Sequence, residues 1–238
     1  MFRNICFLFL GISLLSSLGF WQLERLDWKE TLIERVNMAT REIPLTIDDI
    51  NKSLKNGTDI EFKSIQAFGK FLHDREQHFF TTYKGKVGFD LYTPLEMNGG
   101  EILFVNRGFV PNSFKPISKR ADSFLSGPIS IQGFARSASR IKPNYFVPDN
   151  NIKKNIFYWK SLKQMSERAF PEGKVLVLPY FLDSGLEPIS GGLPIPAVST
   201  IVLNNRHLQY AITWFGLAIV LFYVGSFFIS KNILTSRN

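Results

Sequence analysis

The stretch His207–Ser230, HLQYAITWFGLAIVLFYVGSFFIS, decides how the chain is organised, because Leu208 to Ser230 carries neither a charged side chain nor a proline. At ~1.5 Å per residue such a run crosses a hydrocarbon core of about 30 Å as one helix. A second uncharged run, Ile5 to Trp21, lies at the other end of the chain. Its length suits either a short span or a secretory signal, with Ser17 and Gly19 small enough for the positions that a signal peptidase reads. Arg3 precedes the first run, Lys231 and Arg237 follow the second, and neither tail holds an acidic residue. Both termini are therefore expected in the cytoplasm, with the intervening segment exported.

Five segments follow from this reading: a cytoplasmic terminus at 1–4, a transmembrane helix at 5–21, an extracytoplasmic domain at 22–207, a second helix at 208–230 and a cytoplasmic tail at 231–238. The lipid bilayer is thus an expected partner. The net charge is +8, but 25 Lys and Arg against 20 Asp and Glu are spread along the exported segment, so no nucleic-acid surface is read from them. The only cysteine, Cys6, falls in the first apolar run. An intrachain disulfide, a thiol metal site and a cysteine nucleophile are all excluded from the exported part.

Beyond Trp21, Leu23, Leu26, Ile33 and Val36 recur at helical spacing, which predicts an amphipathic continuation of the first helix. Trp21 and Trp28 suit the headgroup level. From Asp59 the period falls to two, and strands are expected at Ile60 to Leu72, Gln77 to Tyr83, Phe89 to Leu95, Glu101 to Val110 and Ile129 to Ala135. Asn98-Gly99-Gly100 offers a hairpin between the third and fourth. Short turns favour antiparallel pairing, whether the sheet is open or closed into a barrel. FYWKSLKQMSERAF, Phe157 to Phe170, reads as a helix, Lys174 to Asp183 as a strand, and the Gly- and Pro-rich SGLEPISGGLPIPAVST as a loop returning to the membrane. The fold class is α+β: two terminal transmembrane helices flanking a β-rich, mainly antiparallel extracytoplasmic domain.

Chemistry is sparse. None of the hydrolase, zinc-protease, phosphate-loop or dinucleotide motifs occurs, and no catalytic residues stand out. His73 and His78, within HDREQH, offer little material for a zinc site and read as surface residues. Arg107, in the apolar strand ILFVNRGFVP, needs a carboxylate, carbonyl or ligand partner. On a helix His207, Tyr210, Ala211 and Trp214 share one face. A neutral imidazole beside aromatic walls suits haem iron, although polar and aromatic residues are also common at a membrane interface.

Five blocks now stand in order: LGFWQLERLDWKETLI, YTPLE with ILFVNRGFVP, YFLD, GGLP, and NNRHLQYAITWFGLA. Together they resemble the surfeit locus protein 1 family of cytochrome c oxidase assembly factors, over nearly the whole chain. The resemblance implies a non-enzymatic, two-span protein that binds haem a, transiently, and assists its insertion into oxidase subunit I. Subunit I and the haem a synthesis enzymes are the implied partners. His207 matches the histidine proposed in that family as the haem axial ligand, with no other metal expected; Tyr210, Trp214 and Trp21 would line the macrocycle. Asn106, Arg107 and Gly108 are candidates for contact with partner subunits. The family uses the first apolar run as a retained anchor. Because that run begins close to Met1, without an arginine-rich targeting sequence before it, a bacterial inner membrane with a periplasmic central domain is the expected address. The alternative is a membrane-anchored scaffold that contacts oxidase subunits without haem. Arg206 stands between Asn205 and His207, where the family often has the asparagine directly before the histidine, and Phe109 stands where tryptophan is common.

Overall fold

The structure is a computed structural model describing residues 2–39, 41–138, 141–173, 175–185, 192–197 and 205–235. It divides into two units, one made of residues 1–35 and 204–238 and the other of residues 36–203.

The first unit holds α1 (Phe2–Ala39) and the last helix, here α4 (His207–Thr235). Both are long and apolar enough to cross a membrane. α1 runs through Trp21 without a break, as the amphipathic continuation required. The two helices are antiparallel, since the closest approaches pair ascending with descending numbers. A Cβ on Gly11 would lie 2.9 Å from Leu221, one on Gly19 2.7 Å from the Phe215 ring, and one on Gly225 2.4 Å from Leu8. Small residues admit the bulky side chain opposite, which is how helices associate where apolar burial alone gives no drive. Phe20 adds an edge-on contact to Phe215 at 5.3 Å.

The second unit is built on six strands: β1 (Ser64–Phe71), β2 (Gln77–Tyr83), β3 (Lys86–Met97), β4 (Ile102–Pro111), β5 (Pro128–Ser137) and β6 (Val177–Ser184). Their order is β1-β5-β6-β4-β3-β2, with an extra β1–β3 pairing. The twelve-residue β3 makes this possible. One of its edges pairs with β4, and the other is divided, Lys86 to Tyr92 going to β2 and Leu95 to Met97 to β1. The ring β1-β5-β6-β4-β3 therefore closes into a barrel, and β2 hangs outside it as the other arm of a hairpin. A bulge between Asp90 and Tyr92 falls just before β3 exchanges partners.

Every strand expected from periodicity is present within a few residues. Two expectations are corrected. The sheet is mixed, because β6 inserts between β4 and β5, parallel to the first and antiparallel to the second. No short turn joins β4 to β6; β5 and a helix intervene, so turn length carried no information about that pair. The helix expected from Phe157 is shorter, α3 (Leu162–Ala169), capped by Ser161. Phe157 is instead held at the edge of β2, donating to His78 O at 2.9 Å and accepting from Phe80 N at 2.8 Å. Of the Gly- and Pro-rich return, residues 186–191 and 198–200 lie outside the described ones. Ile195 within it makes a two-bond bridge to Phe109.

One apolar cluster draws on all five barrel strands, through Ile65, Leu95, Leu103, Ala135 and Tyr180 among others, and on Ile50 of α2 (Ile47–Lys55). α2 starts at a reciprocal cap, Thr46 Oγ1 accepting from Asp49 N and Asp49 Oδ2 from Thr46 N. The other faces of β4 and β6 are covered too. Ile102, Phe104 and Phe181 pack with Tyr92, Phe157 and the α3 residues Met165 and Ala169. A strand buried on both faces cannot alternate, which is why ILFVNRGFVP is almost wholly apolar.

Candidate functional site

Two places hold the residues singled out by sequence, and they are built differently. In the helix pair, His207 opens α4. Its backbone N–H donates to Asn205 Oδ1 at 3.3 Å, so the asparagine reaches the histidine across Arg206. The His207 ring meets α1 at a residue that periodicity did not single out: Nδ1 lies 2.8 Å from Oε1 of Gln22. Gln22 is 8% exposed. A carboxamide oxygen only accepts, so in the neutral ring this contact puts the proton on Nδ1 and leaves the lone pair on Nε2. Outer partners of this kind fix the tautomer and aim of metal-binding imidazoles.

Of the three aromatic residues proposed as walls, two are largely exposed and one is partly covered. Tyr210 and Trp21 are each 51% exposed and Trp214 is half-buried, whereas Ala211, 1% exposed, faces the partner helix. Gln22 had one faint sequence signal. It lies three residues beyond Gly19, one helical step along the same small-residue face.

The second place is the end of β4. Asn106, Arg107 and Gly108 are all buried and form no exposed patch. Asn106 Nδ2 donates to Asp183 Oδ1 at 3.0 Å, its Oδ1 accepts from Gly108 N, and its carbonyl accepts from Ser184 Oγ. Asp183 is also paired with Arg136, whose Nε lies 2.7 Å from Glu61. Gly108 has φ +116°, and a Cβ there would stand 1.9 Å from the Ile195 carbonyl oxygen. Gly108→Ala is expected to break the Phe109–Ile195 bridge and lower stability by about 2 kcal/mol or more, read from thermal unfolding of the detergent-solubilised chain.

Arg107 finds the carbonyl that its burial demands: Nη2 donates to Ser123 O. Nη1 lies 3.3 Å from His73 Nδ1, and the guanidinium stacks over Phe71 at 5.2 Å. Burial brings the Arg107 pKa down to about 10, and burial also lowers that of His73, with the Arg107 charge acting in the same direction. Neutral His73 thus accepts on Nδ1 and donates from Nε2 to Leu125 O at 3.2 Å. His73 is half-buried and partnered on both ring nitrogens, rather than a free surface residue. Among the described residues no three metal-ligating side chains cluster.

Asp90, on β3, has its carboxyl pushed up to about 6 by burial and by the charge of Asp183, against the opposing pull of Lys160. A carboxylate raised on folding loses stability as pH rises, here between about 4 and 6. Asp90→Asn is therefore expected to match the wild type near pH 4 and to exceed it by about 1–3 kcal/mol at pH 7.5, in thermal melts taken across that range.

A closed barrel carried between two span-length helices, with a paired histidine at the head of the second, defines a class of barrel protein with terminal anchor-like helices. Comparison with known proteins narrows it: the model of the SURF1 family matches residues 9–219, and the chain belongs to that family. Surfeit locus protein 1 of Gallus gallus is 30% identical over 219 residues, covering 84% of this chain and 67% of the relative. The protein of the same name in Takifugu rubripes is 28% identical over 84% of this chain and 86% of the relative, and that of Homo sapiens 27% over 84% and 69%.

Proposed function

We propose that this protein is a non-enzymatic assembly factor for cytochrome c oxidase, anchored by α1 and α4 in a bacterial inner membrane with both termini cytoplasmic. It receives haem a as cargo through His207 and helps to place it in subunit I. The observation that supports the reading is the Gln22–His207 pair, which leaves the Nε2 lone pair of the neutral ring open to an iron. Tyr210, Trp214 and Trp21 lie within one or two helical turns of His207 or Gln22 and offer aromatic surface to a macrocycle. The iron and the porphyrin carry the redox chemistry; the protein holds the imidazole in one tautomer and supplies apolar surroundings.

The test is an absorption spectrum of the full chain, purified in detergent from cells that make haem a. The expected result is a haem a spectrum at a fixed ratio to protein. Purification free of haem, with oxidase assembly in the same cells still dependent on the chain, would favour the scaffold alternative. That alternative has its own support in Tyr145 and Phe146, each 92% exposed and free to meet another subunit.

A further inference from the structure

A cavity of about 410 Å³ opens in the barrel unit, lined among others by His73, Glu76, His78, Lys115, Asn155 and Arg168. Its charges do not balance. Glu76 is neutralised by Arg120, with Nη2 2.6 Å from Oε1, and the rim residue Asp74 lies 3.8 Å from Arg75, which it shares with Glu172. Lys115 has its ammonium over the Phe89 ring at 4.5 Å and no carboxylate within ion-pair distance among the described residues. Arg168, in the last turn of α3, has a buried Nε without an acceptor. Burial, and then the Arg168 charge, hold the Lys115 ammonium below its ordinary pKa.

Two further polar atoms are stranded at the same place. Asn155 gives its Nδ2 to Glu76 O at 2.8 Å, which leaves Oδ1 buried and unmatched. His78 pairs Nε2 with Glu76 Oε1 at 3.1 Å, which leaves Nδ1 buried and unmatched. Buried polar groups are almost always satisfied, so three buried atoms without a partner, on residues lining one cavity beside the Lys115 ammonium, call for something to satisfy them. Two cations ask for an oxyanion with more than one negative oxygen, and an amide oxygen beside an imidazole nitrogen asks for an O–H. A carboxylate supplies one charge and no hydroxyl. Hydrogen phosphate supplies both, and so does a doubly charged phosphate monoester whose alcohol part keeps a free hydroxyl.

We propose that this cavity binds a phosphate or phosphate monoester, with Lys115 and Arg168 holding its oxygens while Asn155 Oδ1 and His78 Nδ1 meet its hydroxyl side. Arginine suits phosphate as a planar fork and lysine as a point charge. The site lies wholly within the barrel unit and is independent of the haem reading.

The test is calorimetric titration of the full chain in a non-ionic detergent with inorganic phosphate, then with glycerol 3-phosphate. Saturable binding is expected, weakened about tenfold or more in the Lys115→Gln and Arg168→Gln variants, both of which replace half-buried side chains and should leave the thermal melt unchanged. No saturable binding, equal displacement by chloride, or binding that survives in the double variant would overturn the proposal. Reconstitution in phosphatidylcholine discs with and without phosphatidic acid separates the two sources of the same chemistry. Loss of phosphate binding only where phosphatidic acid is present makes the occupant a lipid headgroup, whereas an unchanged titration makes it a soluble ester.

Discussion

Arg120→Met is expected to lower the unfolding temperature of the barrel by about 6–20 °C, the largest effect on stability of any single change considered. The Arg120 side chain is wholly buried and that of Glu76 is 4% exposed. They meet through two hydrogen bonds, at 2.6 and 3.2 Å. Arg120 also donates to the Phe114 and Lys115 carbonyls, so it ties the β4–β5 connection to the segment leading into β2. Deleting one member of such a pair leaves a buried charge and costs about 3–5 kcal/mol, and each kcal/mol moves the midpoint of a domain this size by about 2–4 °C. The double variant Arg120→Met/Glu76→Met should lose less than Arg120→Met alone, since neither charge remains. The pH dependence follows from the carboxyl. Burial pushes Glu76 up, but hydrogen bonds from His78 and Arg120 outweigh it and hold the group below its ordinary value. The stabilisation is thus present above the unfolded pKa near 4.3 and fades as pH falls through the folded one, so wild type and Arg120→Met should converge in acid. A midpoint within about 1 kcal/mol of wild type at pH 7 would mean that water reaches the pair.

The contrast between this pair and the strands around it shows where sequence reading stops. Strands were legible because burial on one face imposes alternation, and the Asn98-Gly99-Gly100 hairpin because Gly100 has φ +79°, which few other residues tolerate. Closure was not legible, since an open sheet and a barrel bury the same alternating residues. What closes this one is the handover of the β3 edge from β2 to β1, a matter of length and register. Arg107 could be recognised as needing a partner, but Ser123 and His73 lie 16 and 34 positions away, and nothing local points to either. Glu76 was legible only as a carboxylate within HDREQH and Arg120 not at all, because charged residues in short connections read as solvated surface until the connections are packed together.

His207 was conspicuous and Gln22 was not, and the most consequential expected result rests on that difference. In cells that make haem a, His207→Ala is expected to abolish haem recovered with the protein, while Gln22→Leu weakens retention by about 10–100-fold without removing the ligating nitrogen. The second effect arises because leucine cannot accept from Nδ1, so the imidazole loses its preferred tautomer and its aim. Gln22→Glu should restore retention, since a carboxylate accepts the same hydrogen bond more strongly. A purely structural role for His207 gives another pattern: the helix pair, held by the Gly19–Phe215 and Gly11–Leu221 contacts, would keep its thermal melt, and no spectrum would move with residue 22. The rank order wild type, Gln22→Leu, His207→Ala in haem content, together with rescue by glutamate, is what separates a positioned ligand from a histidine that merely caps a helix at the membrane interface. If haem content is the same in all four proteins, the imidazole is no ligand and the scaffold reading replaces it.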